Sequence, residues 1–283
     1  MRKLTFEDLK GKVCVITGGG GVIGRSLSDA MAAVGIKVAV LDMVRDAAVS
    51  AAEDLARNFH VAAIGVEGNV LSKESLMKAK ESIGRDLGPV DLLINCAGGN
   101  SPRATTQMEF VDRESIGDLE KTFYGLDIDG FRKVFDLNFL GTVLPTMVFT
   151  QDMLQKGKGV VLNISSMNSF RPLTKIPAYS AAKASVNNFT EWLAVHLARV
   201  NIRVNALAPG FFLTQQNRFL LTDEKTGELT KRGHKILEAT PMRKFGDPQD
   251  LQAATLFLLS DMSAFITGVV LPIDGGFNAY SGV

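Results

Sequence analysis

A glycine-rich turn near the start of the chain, Thr17-Gly18-Gly19-Gly20-Gly21-Val22-Ile23-Gly24, limits what the rest can fold into. It follows Val13–Thr17, a short apolar, β-branched run that reads as a buried strand, and it leads into helical periodicity over 22–34. Glycines there let the backbone turn tightly and approach a pyrophosphate, which then meets the amide-rich N-terminus of the helix. A P-loop would need Gly-Lys-Ser/Thr after the glycines, and none follows. Asp42 closes the next strand, about 20 residues beyond the glycines, where a carboxylate binds ribose hydroxyls and repels the extra phosphate of NADP. Met43 follows it in place of a basic residue, so the pattern favours NAD. Arg25 and Arg45 lie near enough to keep NADP as the second choice.

The strand–helix rhythm then repeats. Strand-like apolar runs fall at 37–41, 61–66, 90–95, 160–164, 202–207 and 269–273. Helical patterns fall at 47–58, 72–86, 131–155 (with Asp129 as N-cap), 178–200 and 248–259. Alternating elements with nearly continuous apolar strands predict an α/β fold: a single-domain Rossmann-type doubly wound parallel sheet with helices on both faces. No repeat or linker divides residues 1–283, which read as one nucleotide-binding domain. Two segments break the rhythm, an insertion at about 99–130 and a stretch at about 211–240 that is expected to be a substrate lid. Both follow the C-terminal end of a strand, where open α/β sheets bind ligands.

Composition narrows the function classes. Lysine and arginine number 31 against 30 acidic residues, which suggests neither a nucleic-acid surface nor a polybasic membrane anchor. Cys14 and Cys96 form no disulfide framework, and the scattered His60, His196 and His234 make no zinc pattern, so no metal is expected. The N-terminus is too polar for a signal peptide, and no apolar run reaches the roughly 18 residues of a membrane span. These features describe a soluble protein of a reducing compartment, expected in the cytoplasm.

The chemistry lies in Tyr179-Ser180-Ala181-Ala182-Lys183. Four residues apart on a helix, Tyr179 and Lys183 share one face. A free tyrosine, with a pKa of about 10, is a poor base at neutral pH. A neighbouring ammonium favours the phenolate, so the pair is expected to lower the tyrosine pKa and pass a proton to or from a carbinol oxygen.

With these residues placed, the chain resembles the short-chain dehydrogenase/reductase family over nearly its whole length. The family's Thr-Gly-x-x-x-Gly-x-Gly turn is present except that Val22 stands at the middle glycine. Asn95-Cys96-Ala97-Gly98 resembles the family's strand-end Asn-Asn-Ala-Gly, and Asn69-Val70 stands where an acidic residue near the adenine is usual. Asn138, Ser166, Pro209-Gly210 with Thr214, and Asp274-Gly275-Gly276-Phe277 follow in the family's order. The resemblance implies NAD bound by Thr17, Gly18, Gly20, Gly21, Val22, Ile23, Gly24, Asp42, Met43, Asn69, Val70, Asn95, Ala97, Gly98, Tyr179, Lys183, Pro209, Gly210, Phe212 and Thr214. It implies hydride transfer at a carbinol, with Tyr179 as acid or base, Ser166 steadying the oxygen, Lys183 lowering the tyrosine pKa and holding ribose, and Asn138 anchoring a water. It also implies a homotetramer packed through the helices that carry Asn138 and Tyr179, with the C-terminal tail near a neighbour's site. His196, farther along the Tyr179 helix, reads as a packing or interface residue.

Within the family, Asn100-Ser101-Pro102-Arg103-Ala104-Thr105-Thr106, the stretch 166–177, and the tail Ala279-Tyr280-Ser281-Gly282-Val283 resemble members that act on a keto-acid sugar. The spacing of 43 positions from Asn95 to Asn138 fits the same resemblance, being longer than in most members. A carboxylate suits the arginine fork, which makes Arg103, Arg171 and Lys175 its candidate partners. Asn100, Ser166, Asn168 and Asn217 are the candidates for reading hydroxyls. A reductase of another sugar acid or polyol, such as a ketogluconate, fits the same core, and so does a catalytically silent NAD-binding sensor.

Overall fold

The computed structural model describes residues 4–213, 221–223 and 226–282. Seven strands form one parallel sheet: β1 (Val13–Thr17), β2 (Lys37–Asp42), β3 (Ala63–Glu67), β4 (Leu92–Asn95), β5 (Gly159–Ile164), β6 (Ile202–Pro209) and β7 (Val270–Ile273). Their order across the sheet is 3-2-1-4-5-6-7, so the direction of winding reverses between β1 and β4. That reversal opens a crevice beyond the carboxyl ends of these two strands.

Alternate side chains feed two cores. On one face, Cys14 and Ile16 pack with Leu27 and Met31 of α1 (Val22–Ala33), Leu55 of α2 (Arg45–Phe59) and Leu258 near the C-terminus. On the other face, Val13 and Val15 pack with Leu76 of α3 (Lys73–Asp86) and with Phe149 and Leu193. β1 is buried along its whole length, which explains its unbroken apolar sequence.

The single helix expected over 131–155 is two helices, α4 (Ile128–Asn138) and α5 (Leu140–Lys156). The cap is Asp127, whose side chain accepts the amides of Asp129 and Gly130, and not Asp129. At the junction the Thr142 amide bonds the Phe139 carbonyl at 2.9 Å. The Asn138 carbonyl is thereby left to the Thr142 hydroxyl, 3.0 Å away. Pro145 inside α5 removes a further helical donor.

The helix expected over 178–200 is α6 (Pro177–Leu197) with a final 3-10 turn, stopped by Asn201 in the left-handed region at φ 57°. The lid segment contains a helix that periodicity did not reveal, α7 (Lys231–Ala239), capped by Thr230. The last helix, α8 (Gln252–Leu259), follows a 3-10 turn over Pro248–Leu251. Among the described residues no helix is long and apolar enough to cross a membrane.

Candidate active site

A cleft of about 970 Å³ opens at the crevice between β1 and β4 and extends to α6 and α7. Its glycine wall is built by close approach. Gly18 has φ +63°, and a Cβ there would lie 2.8 Å from the Ala97 Cα. A Cβ on Gly24 would lie 2.4 Å from the Gly18 carbonyl oxygen, so the first turn of α1 packs on the loop only without a side chain. A Cβ on Gly21 would meet only the Gly18 oxygen at 3.3 Å. Val22, at the family's missing glycine, is the first residue of α1 and lines the cleft beside Gly21 and Ile23.

Asp42 stands at the far wall. Its carboxylate accepts the Gly20 amide and the Val44 amide, each at 3.0 Å. Arg25, a suspected partner for a 2′-phosphate, is committed elsewhere. It donates to the carbonyls of Gly20 (3.1 Å) and Ala47 (3.3 Å) and pairs with Asp54. A glycine cradle, a helix N-terminus and a carboxylate without a free Arg25 fit a dinucleotide lacking that phosphate.

Met43, Asn69, Val70, Ala97, Gly98, Pro209, Gly210 and Phe212 also line the cleft. Three residues expected to touch the cofactor lie behind the wall instead. The Thr17 hydroxyl is fully buried and accepts the amides of Cys96 and Ala97 at 3.1 Å, tying the ends of β1 and β4 together. Asn95 is buried and donates to Thr146 and Asn163, both at 2.9 Å. Gly20 spends its amide on Asp42. Thr214 and Asn217 lie outside the described residues.

At the closed end Tyr179 and Ser166 both line the cleft, close enough for the serine hydroxyl to act on that of the tyrosine. Ser165, the alternative serine, is turned to Asn187 Oδ1 at 2.5 Å. The Lys183 Nζ sits 5.7 Å from the Tyr179 ring centre and donates to the Ile164 carbonyl at 2.7 Å. The expected lowering of the tyrosine pKa is not found. Burial pushes the Tyr179 hydroxyl above its ordinary value, and the neighbouring Ser166 hydroxyl offsets only part of that. Burial also pulls Lys183 down to about 8. Asn138 does not line the cleft; its amide is spent on Gly99 and on the Val134 carbonyl, 2.7 Å away.

This geometry agrees with the comparisons. A family model for enoyl-(acyl carrier protein) reductase matches residues 20–278. An uncharacterized oxidoreductase of Haemophilus influenzae is 47% identical over 278 residues, covering 98% of this chain and 96% of the relative. A crystal structure with bound NAD, of a Haemophilus influenzae protein named as a candidate D-mannonate oxidoreductase, superposes with a TM-score of 0.93. It is 47% identical and covers 98% of each chain. The 5-keto-D-gluconate 5-reductase of Escherichia coli K12 is 34% identical, covering 95% of this chain and 96% of that enzyme. The chain belongs to the short-chain dehydrogenase/reductase family.

At the substrate end, this short-chain dehydrogenase/reductase uses its basic residues differently from the expectation. Arg103 ion-pairs with Asp127, the cap of α4. The Arg171 Nε donates to the Asn278 carbonyl at 3.3 Å, and the Lys175 Nζ donates to the Gln107 carbonyl at 2.6 Å. All three brace loops, and none lines the cleft. Asn100 and Asn168 do line it, as do Lys133 and Asp136 of α4 and Arg232 of α7, which sequence reasoning missed. The Thr230 cap before an amphipathic run was the available signal for α7. Nothing in that signal says which face turns inward. Among the described residues no group of acidic, histidine and cysteine side chains could hold a metal. His196 stacks on Trp192, with ring centres 4.8 Å apart on the outer face of α6.

Proposed function

We propose that the protein interconverts D-fructuronate and D-mannonate with NAD as cofactor. The observation that carries the catalytic reading is the gathering of Ser166, Tyr179 and Lys183 at the end of a cleft whose other wall is the glycine turn and Asp42. Gly18, Gly21, Val22, Ile23 and Gly24 would hold the pyrophosphate, Asp42 the adenosine ribose and Lys183 the ribose nearer the reacting carbon. The dinucleotide supplies a carbon that accepts or gives hydride.

The chain's own residues handle the oxygen. Tyr179, kept protonated by burial, donates to the carbonyl oxygen as it gains negative charge during reduction, and Ser166 donates a second hydrogen bond to that oxygen. In oxidation Tyr179 would first release its own proton along the Lys183 route, and the phenolate would then take the proton of the alcohol. The Asn138 carbonyl, released from helical bonding at the α4–α5 break, is available to hold a water on the route from Lys183 to solvent.

The similarity to the candidate D-mannonate oxidoreductase supports the choice of hexuronate, and the distinctive loops around Asn100 and Ser166 support it independently. A 5-ketogluconate reductase is the second reading, favoured by the Escherichia coli relative. The intact set of Ser166, Tyr179 and Lys183 weighs against a silent NAD sensor, which needs no proton donor. NADH consumption across a panel of keto acids and neutral ketones is the test: fructuronate turning over no faster than unrelated ketones refutes the hexuronate reading.

We propose that α7 and the insertion wall the substrate space, and that a homotetramer is the working form. Phe139, at the α4–α5 junction, and Phe189, Trp192 and His196 of α6 form a run of ring contacts, with Trp192 57% and Val195 80% exposed. Two copies of such a face cover each other.

A further inference from the structure

With Arg103, Arg171 and Lys175 engaged in bracing loops, the carboxylate of a sugar acid needs another cation, and the cleft wall offers one. Arg232, on the first turn of α7, lines the cleft, and among the described residues its guanidinium forms no ion pair or side-chain hydrogen bond. One turn further on the same helix face, Lys235 pairs with Glu109 of the insertion at 2.5 Å. The Glu109 carboxylate is held below its usual range by the Lys235 hydrogen bond, and the charges of Lys175 and Arg232 add to this. This pair ties α7 to the insertion. Lys183 is held at the catalytic end by the Ile164 carbonyl, and Lys133 of α4 shares the wall with Asp136, so that stretch carries no net charge.

A second feature points to a polar ligand in the same space. Asn168 is only 6% exposed, lines the cleft two residues from Ser166, and its side-chain oxygen has no hydrogen-bond partner. Buried amide oxygens are rarely left unpaired, and a ligand hydroxyl would complete this one. A planar guanidinium without a carboxylate partner is suited to take both oxygens of a ligand carboxylate at once.

We propose that Arg232 binds the carboxylate of the keto-acid substrate while Asn168 accepts a hydrogen bond from one of its hydroxyls, leaving the ketone to Ser166 and Tyr179. The assignment rests on the sugar-acid reading above and deepens it by naming the residue that selects for the acid.

Arg232→Ala and Arg232→Lys, assayed with NADH and the best keto sugar acid of the panel, test it. Loss of a charge-assisted pair should raise the KM for the acid about 30-fold in Arg232→Ala and less in Arg232→Lys, which keeps the charge without the fork. NADH affinity, read by fluorescence titration, should stay within about twofold in both variants, which also shows that the cofactor half is folded. An unchanged KM for the acid overturns the assignment. A loss of NADH affinity with the acid KM unchanged also overturns it, by giving Arg232 to a cofactor phosphate. Wild-type enzyme showing no preference for keto acids over neutral ketoses removes the sugar-acid reading itself. The wild-type arm thus tests that reading and the variant arms test Arg232.

Discussion

Asn138 grips Gly99 from both sides: its Oδ1 accepts the Gly99 amide at 3.1 Å and its Nδ2 donates to the Gly99 carbonyl at 2.7 Å. The first residues of the insertion are therefore fastened to α4 one residue past the cleft-lining Gly98. A Cβ on Gly98 would lie 2.6 Å from the Asn138 Oδ1 and 3.3 Å from the Lys183 Nζ, so these groups converge on one point of the wall. Asn138→Ala leaves the backbone groups of Gly99 without partners, at a cost of about 1–3 kcal/mol. Turnover should fall about tenfold or more, and hydrogen exchange should speed up at Gly99 and Asn100 but not in β1. Unchanged exchange at Gly99 would contradict the clamp.

Asp42 makes the choice of cofactor testable. Asp42→Ala should raise the KM for NAD about tenfold, through loss of charge-assisted hydrogen bonds to ribose hydroxyls. NADP should improve as repulsion is removed, yet stay poorer than NAD is for the wild type, because Arg25 remains bound to Gly20, Ala47 and Asp54. Steady-state kinetics with both dinucleotides give the answer, and an unaltered KM for NAD would remove Asp42 from the site.

Lys183 links the site to stability. Its folded pKa of about 8 lies below the ordinary 10.5, so between these values the unfolded chain binds more protons and stability rises with pH. The stabilisation is complete above about pH 10.5 and is lost as pH falls through 8, a difference of about 3 kcal/mol in ideal conditions. Lys183→Met removes the buried ammonium. Its melting temperature relative to wild type should therefore be higher at pH 7 than at pH 10, while activity is lost at both. A Tm difference independent of pH would show that the ammonium is not penalised by its burial.

Trp192 tests the assembly. Trp192→Glu puts a charge at the centre of the exposed aromatic run and should convert a tetramer to dimers or monomers in light scattering. A wild-type monomer, or a variant that remains tetrameric, would remove this face as the contact.

Much of this architecture was legible in the sequence. Every strand was marked by its apolar run, and the turn from Thr17 to Gly24 with Asp42 marked the nucleotide end, because burial and glycine geometry are local demands on residue type. The α4–α5 break was hidden because Phe131 through Gln155 is helical throughout in composition. It depends on how Phe139 and Thr142 exchange hydrogen bonds. The role of a charged loop residue was the least legible. Arg103 and Arg232 look alike in sequence, and only the fold places Asp127 against one and the cleft beside the other. The direction of the Tyr179 shift failed for a similar reason. The four-residue spacing was readable in the sequence, whereas the burial that raises the Tyr179 hydroxyl belongs to the folded cleft.

The measurement closest to the central claim is the Tyr179→Phe variant, followed both by NADH titration and by single-turnover reduction of fructuronate. Phenylalanine keeps the ring and removes only the hydroxyl that lies beside Ser166. NADH should bind within about twofold of wild type while the reduction rate falls by about 10²–10⁴. A variant that reduces fructuronate at the wild-type rate would contradict the proton-donor role of Tyr179 and the mechanism built on it.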